Sequence, residues 1–163
     1  GHHSTTLGCL VGLEHVLKSG VPKKVLDIGT GSGVLAIAAV KSGSTRAYGT
    51  EIDADSVRVA NENAGKNNVA NKFRTFATRG SVNTTIRADG PFDLVFANIL
   101  FRPLVGLSQT IFDLTAPGGH VILSGLLSEQ EPLVRAAYQG RGLGLVHRVR
   151  KDGWSSLVFR RKG

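Results

Sequence analysis

The chain is short of several things, and each shortage closes off a class of protein. It has one cysteine, Cys9, so no internal disulfide can form, and a lone thiol fits a reducing, cytoplasmic compartment. Its longest unbroken apolar run, Val34 to Val40, covers seven residues, where a membrane span needs about twenty. No signal-peptide pattern opens the chain. Repeats, linkers and low-complexity stretches are lacking, and 163 residues suit one domain with a full core. The histidines make no zinc pattern: His15, His120 and His147 stand alone, as packing or surface residues, so no metal is expected. No G-x-x-x-x-G-K-[ST] occurs, which argues against a triphosphate cradle.

What the chain does have is concentrated in Val25-Leu26-Asp27-Ile28-Gly29-Thr30-Gly31-Ser32-Gly33. An apolar strand runs into three alternate glycines, and an apolar helix starts at Val34. A strand that turns abruptly into a helix leaves backbone N–H groups pointing outward, and glycine lets a ligand approach them without meeting a Cβ atom. This is the form of a nucleotide site at the carboxyl end of a parallel sheet. Val34 stands where a dinucleotide fingerprint has its sixth-position glycine, which disfavours a dehydrogenase. Glu51 follows Gly29 by twenty-two residues, at the end of a second strand over 47–51. A carboxylate there can accept hydrogen bonds from both hydroxyls of a ribose. Adenosine with no pyrophosphate to hold points to S-adenosylmethionine.

Taken in order, apolar positions 7, 10, 13, 16 and 17 predict a helix over 5–19, started by a threonine and ended by Gly20. The helix from Val34 runs to about Lys41. After the second strand, Asp53 and Asp55 read as helix-capping, with Asp55 the expected N-cap of a helix over 56–65 that turns Val57 and Ala60 toward the sheet. Residues 72–77 read as a third strand, 78–91 as loop, and 92–97 as a fourth, buried strand, with Asn98-Ile99-Leu100 where it leaves the sheet. Pro103 suits the first turn of one helix to about Leu114. Pro117-Gly118-Gly119 reads as a turn before a fifth strand over 120–124. Ser128-Glu129-Gln130-Glu131 reads as a capping box opening a helix to about Gln139. Residues 143–149 and 155–160 flank Lys151-Asp152-Gly153 as a hairpin, with Trp154 packing against it. Strand and helix alternate through five units, which implies an α/β fold: right-handed crossovers and a mainly parallel sheet with helices on both faces, closed by an antiparallel pair.

Net charge is +8 and unevenly placed. Residues 141–163 carry Arg141, Arg148, Arg150, Lys151, Arg160, Arg161 and Lys162 against only Asp152. Such an end suits RNA or a ribonucleoprotein. It equally suits a solvated sheet edge guarded by charge.

Together these residues resemble a class I S-adenosylmethionine-dependent methyltransferase, a Rossmann-like fold with a seven-stranded sheet. A narrower resemblance, over essentially the whole chain, is to the PrmA family of bacterial ribosomal protein L11 methyltransferases. It rests on Gly1-His2-His3-Ser4-Thr5-Thr6, the glycine turn, Ala97-Asn98-Ile99-Leu100 with Pro103, and Pro117-Gly118-Gly119 through Leu123-Ser124-Gly125-Leu126. On this resemblance Gly1 to Thr6 is native sequence and not a tag. It implies methyl transfer to amino groups, lysine side chains or an N-terminal amine, of a ribosomal protein; RNA or a small molecule is the alternative acceptor. It sets the Thr5-Thr6 pair against the cofactor, with Thr6 as the binding residue, Gly29 at the turn, Glu51 on the ribose as a longer variant of the aspartate many relatives carry, and Asn98 at both cofactor and transfer site. Gly31 and Gly33 complete the turn. Asp27 either holds the loop's N–H groups and, through water, the cofactor's amino group, or is structural alone. Asn98 is the expected catalytic residue, orienting the attacking amine. Enzymes acting on amide or nucleobase nitrogens carry Asn/Asp-Pro-Pro-Tyr/Phe here; Asn-Ile-Leu offers no aromatic platform, although Phe101 lies only three residues on. The family carries an amino-terminal substrate-binding domain and linker before this point, so residues 1–163 are expected to be a catalytic domain cut from a longer protein, or a shortened relative.

Overall fold

Seven strands form one sheet in the order β3-β2-β1-β4-β5-β7-β6 in the computed structural model, which describes residues 2–78 and 82–163. They are β1 (Lys24–Ile28), β2 (Arg46–Glu51), β3 (Phe73–Ala77), β4 (Phe92–Asn98), β5 (Thr115–Leu127), β6 (Leu143–Lys151) and β7 (Trp154–Arg161). β3 through β5 pair in parallel, and β7 is antiparallel to both β5 and β6. The chain steps outward from β1 to β3 on one side, then returns to place β4 on the other. The carboxyl ends of β1 and β4 therefore flank a switch point, where a crevice must open.

The helices are α1 (His2–Leu17), α2 (Val34–Lys41), α3 (Ala54–Lys66), α4 (Thr84–Asp89), α5 (Phe101–Gly106), α6 (Ser108–Leu114) and α7 (Glu131–Gln139). Because helices cover both faces, β1 and β4 are buried almost throughout. The period of two survives as a division between two cores. Val25, Leu94, Phe96, Ile122 and Val158 pack with Leu13 and Val16 of α1 and Leu35 and Ile37 of α2. Leu26, Val95, Val121, Leu123 and Phe159 pack with Ile111 of α6 and Val134 and Tyr138 of α7.

Several local expectations are corrected. α1 runs over 2–17, and its buried stripe is Thr5, Gly8, Cys9, Gly12, Leu13 and Val16, while Leu7 is 45% exposed. Small residues let this helix lie close on β5, β6 and β7. The N-cap of α3 is Asp53, which accepts from the Asp55 N–H at 3.2 Å. The expected loop contains α4, capped by Asn83 accepting from the Ile86 N–H at 2.9 Å; its residues 79–81, like Gly1, lie outside the described residues. The single helix to Leu114 is two, broken at Leu107. Pro117-Gly118-Gly119 lies within β5, where the register with β4 shifts and Gly118 has φ +81°. A single 3-10 turn, Ser128–Gln130, precedes α7, and Gln130 accepts from the Leu127 N–H at 2.8 Å, so the cap is Leu127 and not Ser128. His15 and His147 do not stand alone: their rings stack at 4.3 Å, joining α1 to β6. Asp152 and Gly153, at φ +54° and +79°, form the two-residue hairpin turn. Among the described residues no helix is long and apolar enough to cross a membrane, and no three His, Cys, Asp or Glu stand as a metal-binding group.

Candidate functional site

Beyond Ile28 the chain turns through Gly29, Gly31 and Gly33, all at positive φ. A Cβ on Gly29 would stand 2.6 Å from Ile99 Cγ2, and one on Gly33 2.8 Å from Phe73 Cε2. One on Gly31 would meet nothing within 4 Å. Gly29 and Gly33 thus permit tight packing, whereas Gly31 keeps main chain open to a ligand.

Carboxylates hold this turn from two sides. Glu51 accepts at Oε1 from the Gly31 N–H at 2.9 Å and at Oε2 from the Ile52 N–H at 3.2 Å. From beneath, Asp27 accepts the Thr30 hydroxyl at 2.6 Å. Asp27 is 1% exposed, and its Oδ1 has no hydrogen-bond partner. Burial pushes its pKa up to about 7, against the lowering effects of the Thr30 hydroxyl and the Ala36 amide. Asp27 therefore grips the loop chiefly through a hydroxyl.

Two cavities open on either side of Asn98-Ile99-Leu100. The smaller, about 300 Å³, is lined by Thr5, Thr6, Gly29, Thr30, Gly31, Asn98 and Trp154, among others. The larger, about 630 Å³, is lined by Glu51, Ile52, Thr78, Asn98, Leu100, Pro103 and Leu107, among others. Gly29, Asn98, Ile99 and Leu100 belong to both. Among the described residues, no charged side chain lines the smaller cavity, and Glu51 alone lines the larger. Ile52 and Leu100, 77% and 76% exposed, stand as apolar rims of the larger. The shared wall is pressed in place from behind: Gly125 has φ +89°, and a Cβ there would overlap the Ile99 carbonyl oxygen. α1 is held beside the smaller cavity by the Ser124 hydroxyl, which donates to the Thr5 carbonyl at 3.3 Å, and by Ser4 Oγ donating to Asp152 at 2.8 Å.

Of the residues singled out from sequence, Thr6, Gly29, Gly31 and Asn98 line the smaller cavity, and Gly29, Glu51 and Asn98 the larger. Asp27 and Gly33 line neither; both act behind the turn. Phe101 packs into the second core, away from both cavities. Thr5, the other half of the threonine pair, lines the smaller cavity beside Thr6. Sequence reasoning missed Ile52 and Trp154. Ile52 had a signal, an apolar residue directly after the strand-end acid. Trp154 had none, because only the insertion of β7 beside β5 brings it here.

A family model described as Ribosomal protein L11 methyltransferase (PrmA) matches residues 1–162. The chain belongs to the PrmA family. A ribosomal protein L11 methyltransferase of Caulobacter sp. (strain K31) is 49% identical over 161 residues, which are 99% of this chain and 55% of that protein. The chain spans about half the length of the curated relatives it matches. The crystal structure of a ribosomal protein L11 methylase from Lactobacillus delbrueckii subsp. bulgaricus superposes with a TM-score of 0.88 at 33% identity, over 99% of this chain and 80% of that one. The O-methyltransferase TomG from Streptomyces achromogenes, crystallised in complex with SAM, shares the fold alone: TM-score 0.75, 16% identity, 97% of this chain and 80% of that one. In this PrmA-family chain, Thr6, Gly29, Glu51 and Asn98 come from α1, the β1 turn and the ends of β2 and β4, and meet at the two joined cavities.

Proposed function

We propose that this domain binds S-adenosylmethionine across the two cavities and transfers its methyl group to amino groups, lysine side chains or an N-terminal amine, of a ribosomal protein, large-subunit protein L11. The observation that carries the reading is the pairing of unlike cavities on one wall: a larger apolar one with a single carboxylate, and a smaller one that adds threonine hydroxyls and, among the described residues, has no charged side chain. The donor set fits the cofactor. Glu51 suits the ribose hydroxyls, Ile52 and Leu100 suit the faces of an adenine, and Thr6 with the open main chain at Gly31 suits the polar amino-acid end. When bound, the cofactor supplies a methyl group on a positively charged sulfur, ready for in-line displacement.

The protein's part is then placement. Orientation of two reactants accounts for roughly 7–11 kcal/mol of a barrier. Asn98, common to both cavities, accepts a hydrogen bond from the amine through its carbonyl oxygen and aims the nitrogen lone pair. The attacking amine must be neutral. Among the described residues the smaller cavity offers no carboxylate to keep a lysine charged, and desolvation lowers a lysine pKa by as much as ~3–5 units. The proton thus leaves to solvent before transfer, and no strong base is required.

Residues 1–163 act in this reading as the catalytic domain, in the cytoplasm, and choice of substrate protein depends on the part of the relatives' length that the chain does not span. Trp154 favours one second reading, in which a nucleobase stacks in the smaller cavity as acceptor. The basic segment lends RNA less support than its composition suggests. Arg150 is bonded to Glu131 at 2.7 Å, Arg148 lies 3.6 Å from the same carboxylate, and Arg161 donates to the Thr115 carbonyl at 2.7 Å.

Calorimetric titration with S-adenosylmethionine and with NAD tests the cofactor; binding of NAD alone would end the reading. Incubation with methyl-labelled cofactor and ribosomal extract tests the acceptor. Label on a ribosomal protein, lost in Asn98→Ala, is expected; label on RNA overturns the acceptor.

A further inference from the structure

Trp154 is the only aromatic residue lining either cavity among the described residues, and it lines the smaller one, which has no charged wall. Its position is fixed rather than adventitious. It opens β7 directly after the Asp152-Gly153 turn, in register with Leu127 of β5 and Lys151 of β6. The turn is pinned on both flanks: the Ser128 N–H donates to the Gly153 carbonyl at 2.9 Å, and Ser4 Oγ donates to Asp152 at 2.8 Å. Next to it, buried Ser155 is bonded to Ser128 and Glu131. Three elements thus hold one half-buried tryptophan at the edge of a neutral chamber.

A positive charge entering such a chamber loses water and finds no carboxylate on its wall. Hydroxyls and amide oxygens offset part of that cost, and an aromatic face attracts a cation through its quadrupole without forming a salt bridge. We propose that Trp154 is a charge-reading residue of the cofactor site, favouring a sulfonium over the neutral thioether left after the methyl group departs. This rests on the cofactor reading above and deepens it. A carboxylate here would hold the sulfonium more strongly but would also keep an incoming lysine protonated. Tryptophan selects the charged cofactor without blocking the neutral amine, and its preference ends when the charge does, which eases product exchange.

The test uses the intact chain and two ligands differing only at sulfur, S-adenosylmethionine and S-adenosylhomocysteine, titrated calorimetrically into wild type, Trp154→Phe and Trp154→Leu. Cation–π attraction of about 0.5–2 kcal/mol corresponds to roughly 2- to 30-fold in affinity. Trp154→Leu is expected to weaken S-adenosylmethionine binding within that range while leaving S-adenosylhomocysteine nearly unchanged, with Trp154→Phe between. Equal loss for both ligands means Trp154 only packs, and no loss for either removes it from the site; each result overturns the proposal. If wild type binds neither ligand, the cofactor reading itself fails, a distinguishable outcome. Circular dichroism checks each fold, and should Leu unfold the hairpin, Phe alone decides by the same differential.

Discussion

The two cavities share a wall and differ in how they are assembled. The larger draws on the exits of β1, β2 and β4 and on α5, all in or beside the parallel half of the sheet. The smaller also needs α1 and the start of β7, elements added to that half from opposite ends of the chain. The difference teaches that the parallel core suffices to form the larger cavity, whereas the smaller is completed only by elements added around it. Their electrostatics differ too: Glu51 lines the larger cavity, while no charged side chain among the described residues lines the smaller.

Damage to the shared wall should erase the distinction. Gly125→Ala adds a Cβ at φ +89° against the Ile99 carbonyl. Left-handed strain of about 1–2 kcal/mol and overpacking of about 1–3 kcal/mol should together destabilise the fold by roughly 3 kcal/mol, measured by urea denaturation. Wild-type stability in that variant would mean the wall is soft. Glu51→Ala should strike the larger cavity first and, by releasing the Gly31 N–H, loosen the turn beside the smaller one. Loss of hydrogen bonds to a charged group, about 1.5–3 kcal/mol, predicts roughly 10- to 100-fold weaker binding of S-adenosylmethionine by calorimetry; unchanged binding would remove Glu51 from the cofactor site.

Asp27 gives the comparison a pH axis. Its folded-state pKa is raised, so its contribution to stability is full below the ordinary aspartate pKa, about 4, and is lost as pH rises through about 7. The slope within that window reaches about 1.4 kcal/mol per pH unit. Asp27→Asn, which still accepts from Thr30, should flatten it in denaturation series at several pH values; an unchanged slope would place the titrating group elsewhere. The smallest effect is expected at the His15–His147 stack. Burial, then His147 and Lys18, lower the His15 pKa. That stability is present above the ordinary imidazole pKa and is lost as pH falls below it through the lowered folded-state value. A slightly lower melting temperature on mild acidification, absent in His15→Gln, is the expected sign.

Much of this was legible in the sequence where signals are local. The glycine turn, the acid twenty-two residues on and the Asn-Ile-Leu exit each mark a strand end, and the structure brings Gly29, Glu51 and Asn98 together at the larger cavity. The alternation of elements gave the parallel half and the hairpin. What escaped depended on distant partners. The stripe of α1 was misjudged because Leu7 is apolar yet exposed, while glycines 8 and 12 make the contact. β5 was cut short because Pro-Gly-Gly reads as a turn until a neighbouring strand absorbs it as a bulge. The side of the turn that Asp27 and Gly33 occupy was not legible, because proximity in sequence to the turn does not say which side of it a residue takes; neither lines a cavity.

β7 lies between β5 and β6, although it is the last of the three to be made. During synthesis from the amino end, α1 and the glycine turn exist long before residue 154, yet the chamber they border lacks a wall until that strand slides into its slot. The smaller cavity is therefore the last part of the two-cavity site to be completed, its final wall supplied by a strand near the end of the sequence.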